Sequence, residues 1–356
     1  MKQNGWRIGA LVVCLVLLCC ACAPRGVDTD TTTVPTTVPT TTRPTGTPTT
    51  VVAFADAGLQ LSSPTGEKPQ AETLERIASI CKRYKGTVSL YYKDLENGYT
   101  LTYDADSTYQ AASVIKAPYV KYLLESGVDQ REQLTLKVKK GGSTHIDAQP
   151  IGTKFTVGEL MEYAIRYSDN SAYNLLNERF GFKEFTAHAD QLGIQANRNN
   201  DLTLLNPKPQ FGYLCAQDIG LYFEDIAKFV ETGTPEAKQL FSWLVTTTET
   251  RQFTEAYSGR KQYFTEQPKG GNNVVLLETA EQLDAAYAAR KEGYTIGHKY
   301  GEQGAQAYHD GAVVWRDHPY VIAITSTLTP NDENSIKVFH DLALLIDQMQ
   351  TEWYSR

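Results

Sequence analysis

Apolar residues are nearly absent from one early part of the chain and regularly spaced in the rest. Between residues 27 and 53 Thr and Pro dominate, so little could be buried to offset the entropy of ordering, and we predict an extended spacer. From about residue 67 apolar positions recur at helical or alternating spacing. This pattern predicts a helix over 71–84, followed by a hairpin over 87–103 that turns at Asn97-Gly98.

The middle of the chain has mainly helical spacing, and the end returns to strands. Further helices are predicted over 113–124, 160–167, 171–180, 217–231, 241–252, 280–291 and 336–352. Strands are predicted over 294–300, 312–315 and 320–327. We therefore expect the α/β (α+β) class, with a five-stranded antiparallel sheet flanked by helices. An all-α lobe of roughly 113–255 is inserted into this domain, and a cleft is expected where the lobe meets the sheet.

The first residues have the pattern of an export signal. Lys2 and Arg7 precede an apolar run over 8–20, which is too short to span a bilayer comfortably. Ala21-Cys22 at its end resembles a bacterial lipobox, which implies a lipid on Cys22; a plain secretory signal is the alternative. The protein is then expected outside the cytoplasm, lipid-anchored to the bacterial cell membrane. We predict a lipoprotein signal peptide over 1–22, a disordered Thr/Pro-rich linker over 23–66 and a folded domain over 67–356.

Composition excludes several classes of partner. The formal net charge is −7, so no basic face is available for nucleic acid. Outside the N-terminal segment only Cys81 and Cys215 remain, with no CxxC pair and no Cys/His cluster in the sequence. We therefore expect no metal site and no cofactor. These two cysteines are expected to be buried free thiols rather than a disulfide.

One Ser-x-x-Lys pattern has a context that suits nucleophilic catalysis. The pattern is a weak signal alone, and it occurs at Ser79–Lys82, Ser113–Lys116 and Ser258–Lys261. Only Ser113 opens an apolar helix directly after a hairpin. One helical turn places its hydroxyl and the Lys116 amine on the same face. Partial burial lowers the pKa of such an amine, so Lys116 can remove the serine proton while the backbone N–H of Ser113 stabilises an oxyanion.

Two further short motifs are ambiguous when taken separately. Ser168-Asp169-Asn170 alone is most simply a helix cap, because all three residue types cap helices. Lys299-Tyr300-Gly301 lies on a predicted strand, where a lysine is ordinarily a solvated edge charge. Lys-x-Gly also occurs at 140–142 and 269–271. Neither motif would define a site by itself.

Taken together and in this order, the three motifs resemble the serine β-lactamase and penicillin-binding family. The resemblance spans about residues 70–352. It is closest to the class A β-lactamases, whose corresponding segment is similar to Thr156–Phe180. It implies that Ser113 is acylated, that Lys116 is its general base or proton relay, and that Ser168 passes a proton to the leaving nitrogen.

The resemblance also implies a set of substrate-binding residues. Asn170 would hydrogen-bond the substrate amide, and Lys299 would place positive charge near the substrate carboxylate. Tyr300-Gly301 would line the cleft on the same strand. The backbone N–H of Glu302 would complete an oxyanion hole with that of Ser113.

The sequence departs from the class A pattern in two places. Those enzymes activate the deacylating water with the Glu of a Glu-x-x-Leu-Asn pattern. Here Leu202 occupies the Glu position, Asp201 stands one residue early, and Asn206 fits, so Asp201 and Asn206 are the candidate deacylation residues. We therefore predict slow deacylation. Second, Tyr300 replaces the usual Thr or Ser, which adds bulk at the cleft rim.

The sequence thus predicts a class A β-lactamase-like serine hydrolase that forms an acyl-enzyme on Ser113. Its partner would be a β-lactam or a peptidoglycan-like small substrate, and it is expected to be a monomer. A DD-peptidase-like peptidoglycan enzyme is one alternative. A non-turnover penicillin-binding sensor or a binding lipoprotein is another.

Overall fold

The computed structural model describes residues 51–54, 58–64, 69–141, 145–194, 212–248, 252–257, 277 and 279–355. In chain order its strands are β1 (Val51–Phe54), β2 (Leu59–Ser62), β3 (Val88–Asp94), β4 (Thr100–Tyr103), β5 (Tyr109–Gln110), β6 (Gln133–Thr135), β7 (Lys154–Thr156), β8 (Tyr213–Leu214), β9 (Thr295–Gln303), β10 (Ala307–Trp315) and β11 (Tyr320–Ser326). Among these, seven form one antiparallel sheet in the order β1-β2-β4-β3-β11-β10-β9. The strand β9 therefore forms one edge of this sheet.

The helices lie around this sheet and in a lobe beside it. They are α1 (Ala71–Arg83), α2 (Lys116–Glu125), α3 (Val157–Arg166), α4 (Asn170–Phe180), α5 (Lys183–Gln191), α6 (Ala216–Glu231), α7 (Pro235–Val245), α8 (Phe253–Ala256), α9 (Ala280–Ala288) and α10 (Glu333–Tyr354). A 3-10 helix, Ala112–Ile115, directly precedes α2. In the part of the chain that the structure describes, no helix is both long and apolar enough to cross a bilayer.

Side-chain alternation along the strands builds two hydrophobic layers. Successive strand residues point to opposite faces of a sheet. Leu90 of β3 therefore packs with Ile77 of α1 and Ile346 of α10, whereas its neighbour Tyr91 faces the layer that contains Phe223 of α6. Both faces of the central strands are thereby covered, and β9 is paired along its whole length with β10.

Helix α6 lies very close to the sheet because two glycines leave room for it. A methyl group added at Gly311 of β10 would lie 2.5 Å from side-chain atoms of Ile219 and Phe223. A methyl group at Gly220 of α6 would overlap the ring of Tyr91. Dense cores do not absorb such atoms without moving side chains or backbone. These contacts therefore set the distance between the inserted lobe and the sheet.

The predicted kind of fold is confirmed, and its strand count is corrected. The sheet has seven described strands rather than five, because β1 and β2 precede the predicted hairpin and extend the sheet beyond β4. In β2, Leu59 and Leu61 are buried and alternate with polar residues, a pattern too short to stand out in the sequence. Both strands lie inside the segment 23–66 that was predicted as linker. In its described residues the lobe is helical except for the ribbon β6–β7 and the strand β8, which pairs with β5 just before the lobe.

One predicted helix lies elsewhere in the chain. The prediction over 241–252 is wrong at both ends, since α7 spans Pro235–Val245. Thr234 is the N-cap, and its hydroxyl accepts a hydrogen bond from the Ala237 N–H, while Pro235 occupies the first helical position. By contrast, the predicted capping box of Thr156 and Glu159 at the start of α3 is confirmed. Cys81 and Cys215 are buried free thiols, as predicted.

We expect Gly220→Ala to destabilise the protein because the new methyl group overlaps the Tyr91 ring. Overpacking of this kind costs about 1–3 kcal/mol of unfolding free energy. Urea denaturation followed by circular dichroism measures the change. Gly158→Ala in α3 is the matched control, since its methyl group would first meet the flexible end of Gln130 at 3.3 Å. Equal stability of the two variants would contradict this account of α6 packing.

Candidate active site

Ser113 lies on the tight 3-10 turn that leads into α2. Its neighbour Ala112 has a φ of 48°, an uncommon conformation for a residue with a side chain. The prediction that Ser113 opens an α-helix is therefore wrong in detail, because the α-helix begins at Lys116. Ser113 is half-buried and Lys116, three residues later, is fully buried. The first motif thus places a partly accessible hydroxyl one turn before an enclosed amine.

The Lys116 amine reaches from α2 to the connection between α3 and α4. Its Nζ donates to the carbonyl oxygen of Ser168 at 2.6 Å and to Oδ1 of Asn170 at 2.7 Å. The same Nζ lies 3.4 Å from Oγ of Ser168. The first and second motifs are therefore in direct contact.

The Ser168-Asp169-Asn170 segment combines a helix cap with site residues. Asp169 is the N-cap of α4 and accepts hydrogen bonds from the backbone N–H groups of Ala172 at 2.8 Å and Ile146 at 3.1 Å. The capping interpretation is thus correct for Asp169. Ser168 has a φ of 53°, a left-handed backbone conformation. Both its carbonyl oxygen and its hydroxyl contact the Lys116 amine.

The third motif brings a second amine to the same hydroxyl. Lys299 of β9 is fully buried, and its Nζ lies 3.0 Å from Oγ of Ser168 and 3.1 Å from the carbonyl oxygen of Tyr300. The Nζ also lies 3.8 Å from the centre of the Tyr300 ring. Lys299 is therefore not a solvated edge lysine, although its strand position alone would suggest one. The inserted lobe covers the edge of the sheet at this residue. The hydroxyl of Ser168 has a lysine amine on each side.

Backbone packing brings the Ser113 turn against β9. A methyl group added at Gly301 would lie 2.8 Å from the backbone nitrogen of Val114 and 3.1 Å from that of Ser113. Only a residue without a side chain allows this approach. Glu302, the next residue, is exposed on the same strand. The structure therefore brings together eight of the predicted site residues: Ser113, Lys116, Ser168, Asn170, Lys299, Tyr300, Gly301 and Glu302.

The remaining candidates fall outside the described residues. These are Asp201 and Asn206, together with Leu202 and the lipidation candidate Cys22. Within the ranges described above, no group of three or more His, Cys, Asp or Glu side chains is placed to hold a metal ion.

Burial is the main influence on the Lys116 amine. It lowers the pKa of Lys116 well below 10.5, because the charged form is poorly solvated inside the protein. The positive charge of Lys299 lowers this pKa further, whereas Asp169 opposes the shift. A neutral amine beside a serine hydroxyl can accept its proton. The arrangement therefore suits general base chemistry.

A buried histidine–aspartate contact next to the third motif was not found by sequence reasoning. His298 Nδ1 lies 2.9 Å from Oδ2 of Asp310, and its Nε2 lies 3.2 Å from the Thr254 hydroxyl. His298 and Asp310 are both buried. The pair connects β9 to β10 and to α8, immediately beside Lys299. The sequence signal was a His directly before the strand lysine, but its partner depends on the strand register, which the sequence pattern does not specify.

Comparison with known proteins identifies the family. The sequence profile of the family described as "Beta-lactamase2: Beta-lactamase enzyme family" matches residues 72–349, and the chain therefore belongs to this family. The β-lactamase ROB-1 of Haemophilus influenzae is 29% identical over 137 residues, which are 37% of this chain and 45% of that protein. The carbapenem-hydrolyzing β-lactamase KPC of Klebsiella oxytoca is 29% identical over 112 residues, 30% of this chain and 38% of that protein. These matches span less than half the length of either relative.

Solved structures show the same fold at lower sequence identity. An acyl-enzyme complex of a leucine-to-glutamate variant of PBP-A with penicillin G has a TM-score of 0.60 and 21% identity, covering 80% of this chain and 98% of that one. A class A β-lactamase from Mycobacterium abscessus has a TM-score of 0.55 and 20% identity, covering 78% and 98%. The α/β fold is therefore that of class A β-lactamases and PBP-A.

We expect Lys299→Met to raise the pKa of Lys116, because the substitution removes one of the two causes of its lowering. NMR titration of protein with 13C-labelled lysine side chains follows the Lys116 signal directly. Lys337→Met, at an exposed position of α10, is the matched control and should leave the titration unchanged. An unchanged Lys116 titration in Lys299→Met would show that the two amines do not influence each other.

Proposed function

We propose that the protein is a serine hydrolase in which a β-lactam, or a related amide or ester, acylates Ser113. The observation that carries this proposal is the position of the Ser168 hydroxyl, 3.0 Å from the Lys299 amine and 3.4 Å from the Lys116 amine. Family membership and the neighbouring Ser113 turn support it. A purely structural role is disfavoured, since burying two amines is costly and needs compensation.

In the proposed reaction, the Lys116 amine takes the proton of Ser113, directly or through a relay. The Ser113 oxygen then attacks the substrate carbonyl, and the backbone N–H groups of Ser113 and Glu302 stabilise the resulting oxyanion. The Ser168 hydroxyl passes a proton to the leaving nitrogen and is reprotonated from the lysine side. Lys299 stabilises negative charge that develops at Ser168. Asn170 holds the substrate amide.

Deacylation is proposed to be slow. Hydrolysis of an acyl-enzyme requires an activated water, and Leu202 stands where class A enzymes have a glutamate. The PBP-A variant with a similar fold is an acyl-enzyme with penicillin G, which supports adduct formation on this fold. Asp201 and Asn206, close to Leu202 in the sequence, are the candidates for assisting water. A persistent adduct would suit a penicillin-binding sensor or a DD-peptidase-like peptidoglycan enzyme, the two alternatives to an efficient β-lactamase.

The cellular setting is a further part of the proposal. Lipid attachment at Cys22 and the Thr/Pro-rich spacer would hold a monomeric domain outside the cytoplasm, at the bacterial cell membrane. In that compartment a β-lactam or a peptidoglycan stem peptide would reach the cleft directly.

We expect Ser113→Ala to abolish labelling by a fluorescent penicillin, because the acylated oxygen is missing. The melting temperature should hardly change, since a small, half-buried hydroxyl is removed. Gel fluorescence and intact-protein mass spectrometry measure the label. Ser79→Ala, in the Ser-x-x-Lys pattern of α1, is the matched control and should label normally. Labelling of Ser113→Ala at the wild-type rate would refute the assignment of the nucleophile.

We expect Leu202→Glu to accelerate loss of the adduct, since a carboxylate at that position can activate water. General base catalysis typically contributes about 10²–10⁴ in rate. Time-resolved mass spectrometry of the penicillin adduct measures the change, with Leu202→Gln as a control of similar size but without a basic carboxylate. Rapid nitrocefin turnover by the unaltered protein would disprove slow deacylation.

A further inference from the structure

The positive charge of Lys299 is enclosed rather than presented to the cleft. The side chain is fully buried. Two of its N–H bonds are directed to oxygen atoms, the Ser168 hydroxyl at 3.0 Å and the Tyr300 carbonyl at 3.1 Å. The ring of Tyr300 lies against the ammonium, with 3.8 Å between Nζ and the ring centre. The Tyr300 ring thus covers part of an ammonium that has no surface exposed to solvent.

The contact between ring and ammonium is attractive, so it resists displacement. A cation within about 6 Å of an aromatic ring centre is stabilised by the negative face of the ring, and more strongly when it is desolvated. Lys299 meets both conditions. A substrate carboxylate would have to displace this ring before it reached the amine.

The second amine does not offer an alternative anion site. The Lys116 Nζ is fully buried and donates to the Ser168 carbonyl and to Asn170 Oδ1. On the neighbouring strand β10, the residue paired with Tyr300 is Asp310. Its carboxylate contacts His298 and adds an acidic group rather than a cation. The neighbourhood of the scissile bond thus holds two enclosed amines and a half-buried aromatic ring.

We propose that Tyr300 determines specificity by selecting acyl donors whose leaving group is uncharged, neutral amides or esters, over donors with a carboxylate beside the scissile bond. The inference rests on the proposed acylation of Ser113. In that step the Ser113 oxygen forms an ester bond with the acyl carbon as the bond from that carbon to the leaving nitrogen or oxygen breaks. The serine proton is transferred to the leaving atom, so no other reactant is needed.

Benzylpenicillin and its methyl ester provide a matched pair of probes, because they differ by one methyl group on the carboxylate, which removes its charge. Intact-protein mass spectrometry gives the second-order rate constant for acylation of Ser113 by each. We expect the unaltered protein to react with the ester at least as fast as with the acid. Tyr300→Thr removes the ring and supplies a hydroxyl donor, and should shift the ratio of rate constants toward the acid by about tenfold or more. This corresponds to roughly one hydrogen bond to a charged group.

Tyr300→Phe is the control that retains the ring and removes only the phenol hydroxyl. It should keep the wild-type ratio. Tyr300→Ser serves as a second ring-free variant if Tyr300→Thr does not fold, and thermal unfolding by circular dichroism verifies each variant. An unchanged ratio in the ring-free variants, or the same shift in Tyr300→Phe, would overturn the role of the ring while leaving the acylation of Ser113 intact. Failure of both donors to acylate the unaltered protein would overturn the proposed function and this inference with it.

Discussion

The site depends on the burial of two lysine amines on either side of one serine hydroxyl. Lys116 and Lys299 approach Ser168 from α2 and from β9, two elements that are far apart in the chain. Two like charges in a poorly solvated space repel each other, so one amine loses its proton more readily. Burial has the larger effect on the pKa of Lys116, and this repulsion lowers that pKa further. Burial and charge repulsion, both usually costs to folding, together prepare a base here.

This arrangement requires a rigid support, which the two hydrophobic layers provide. The central strands are covered on both faces, so the edge strand β9 is held in a fixed position relative to α6 and the lobe. At the other side of the site, Asp169 fixes the start of α4 and the loop at Ile146. Its neighbours Ser168 and Asn170 do not cap the helix, and both contact the Lys116 amine instead. The segment Ser168-Asp169-Asn170 thus both fixes the start of α4 and supplies oxygen atoms to the site.

Sequence reasoning succeeded where the signal was local. The first helix, the hairpin with its Asn97-Gly98 turn, and the Thr156 capping box follow from nearby residues alone, and the structure has them close to the predicted positions. The motif order was sufficient to indicate the family and the fold. Helix α7 was misplaced because hydrophobic spacing outweighed the Thr234-Pro235 start signal.

The failures have a common physical origin in contacts between distant segments. Strand β2 is a strand chiefly because it pairs with β4 and buries two leucines. Lys299 has an ordinary strand sequence around it, and only the inserted lobe makes it a buried residue. The Tyr300 ring could equally have pointed to solvent. Its place over the ammonium is a property of the folded chain, which no local pattern encodes.

The glycine beside the nucleophile has an implication for how this cleft could diversify. Because Gly301 brings the β9 backbone against the turn that holds Ser113, the spacing there is governed by main-chain atoms rather than by any exchangeable side chain. A larger residue at that position would push the turn of the nucleophile away from the strand. Changes in substrate preference would then come from side chains that flank the turn, while the main-chain spacing between β9 and Ser113 stays as it is.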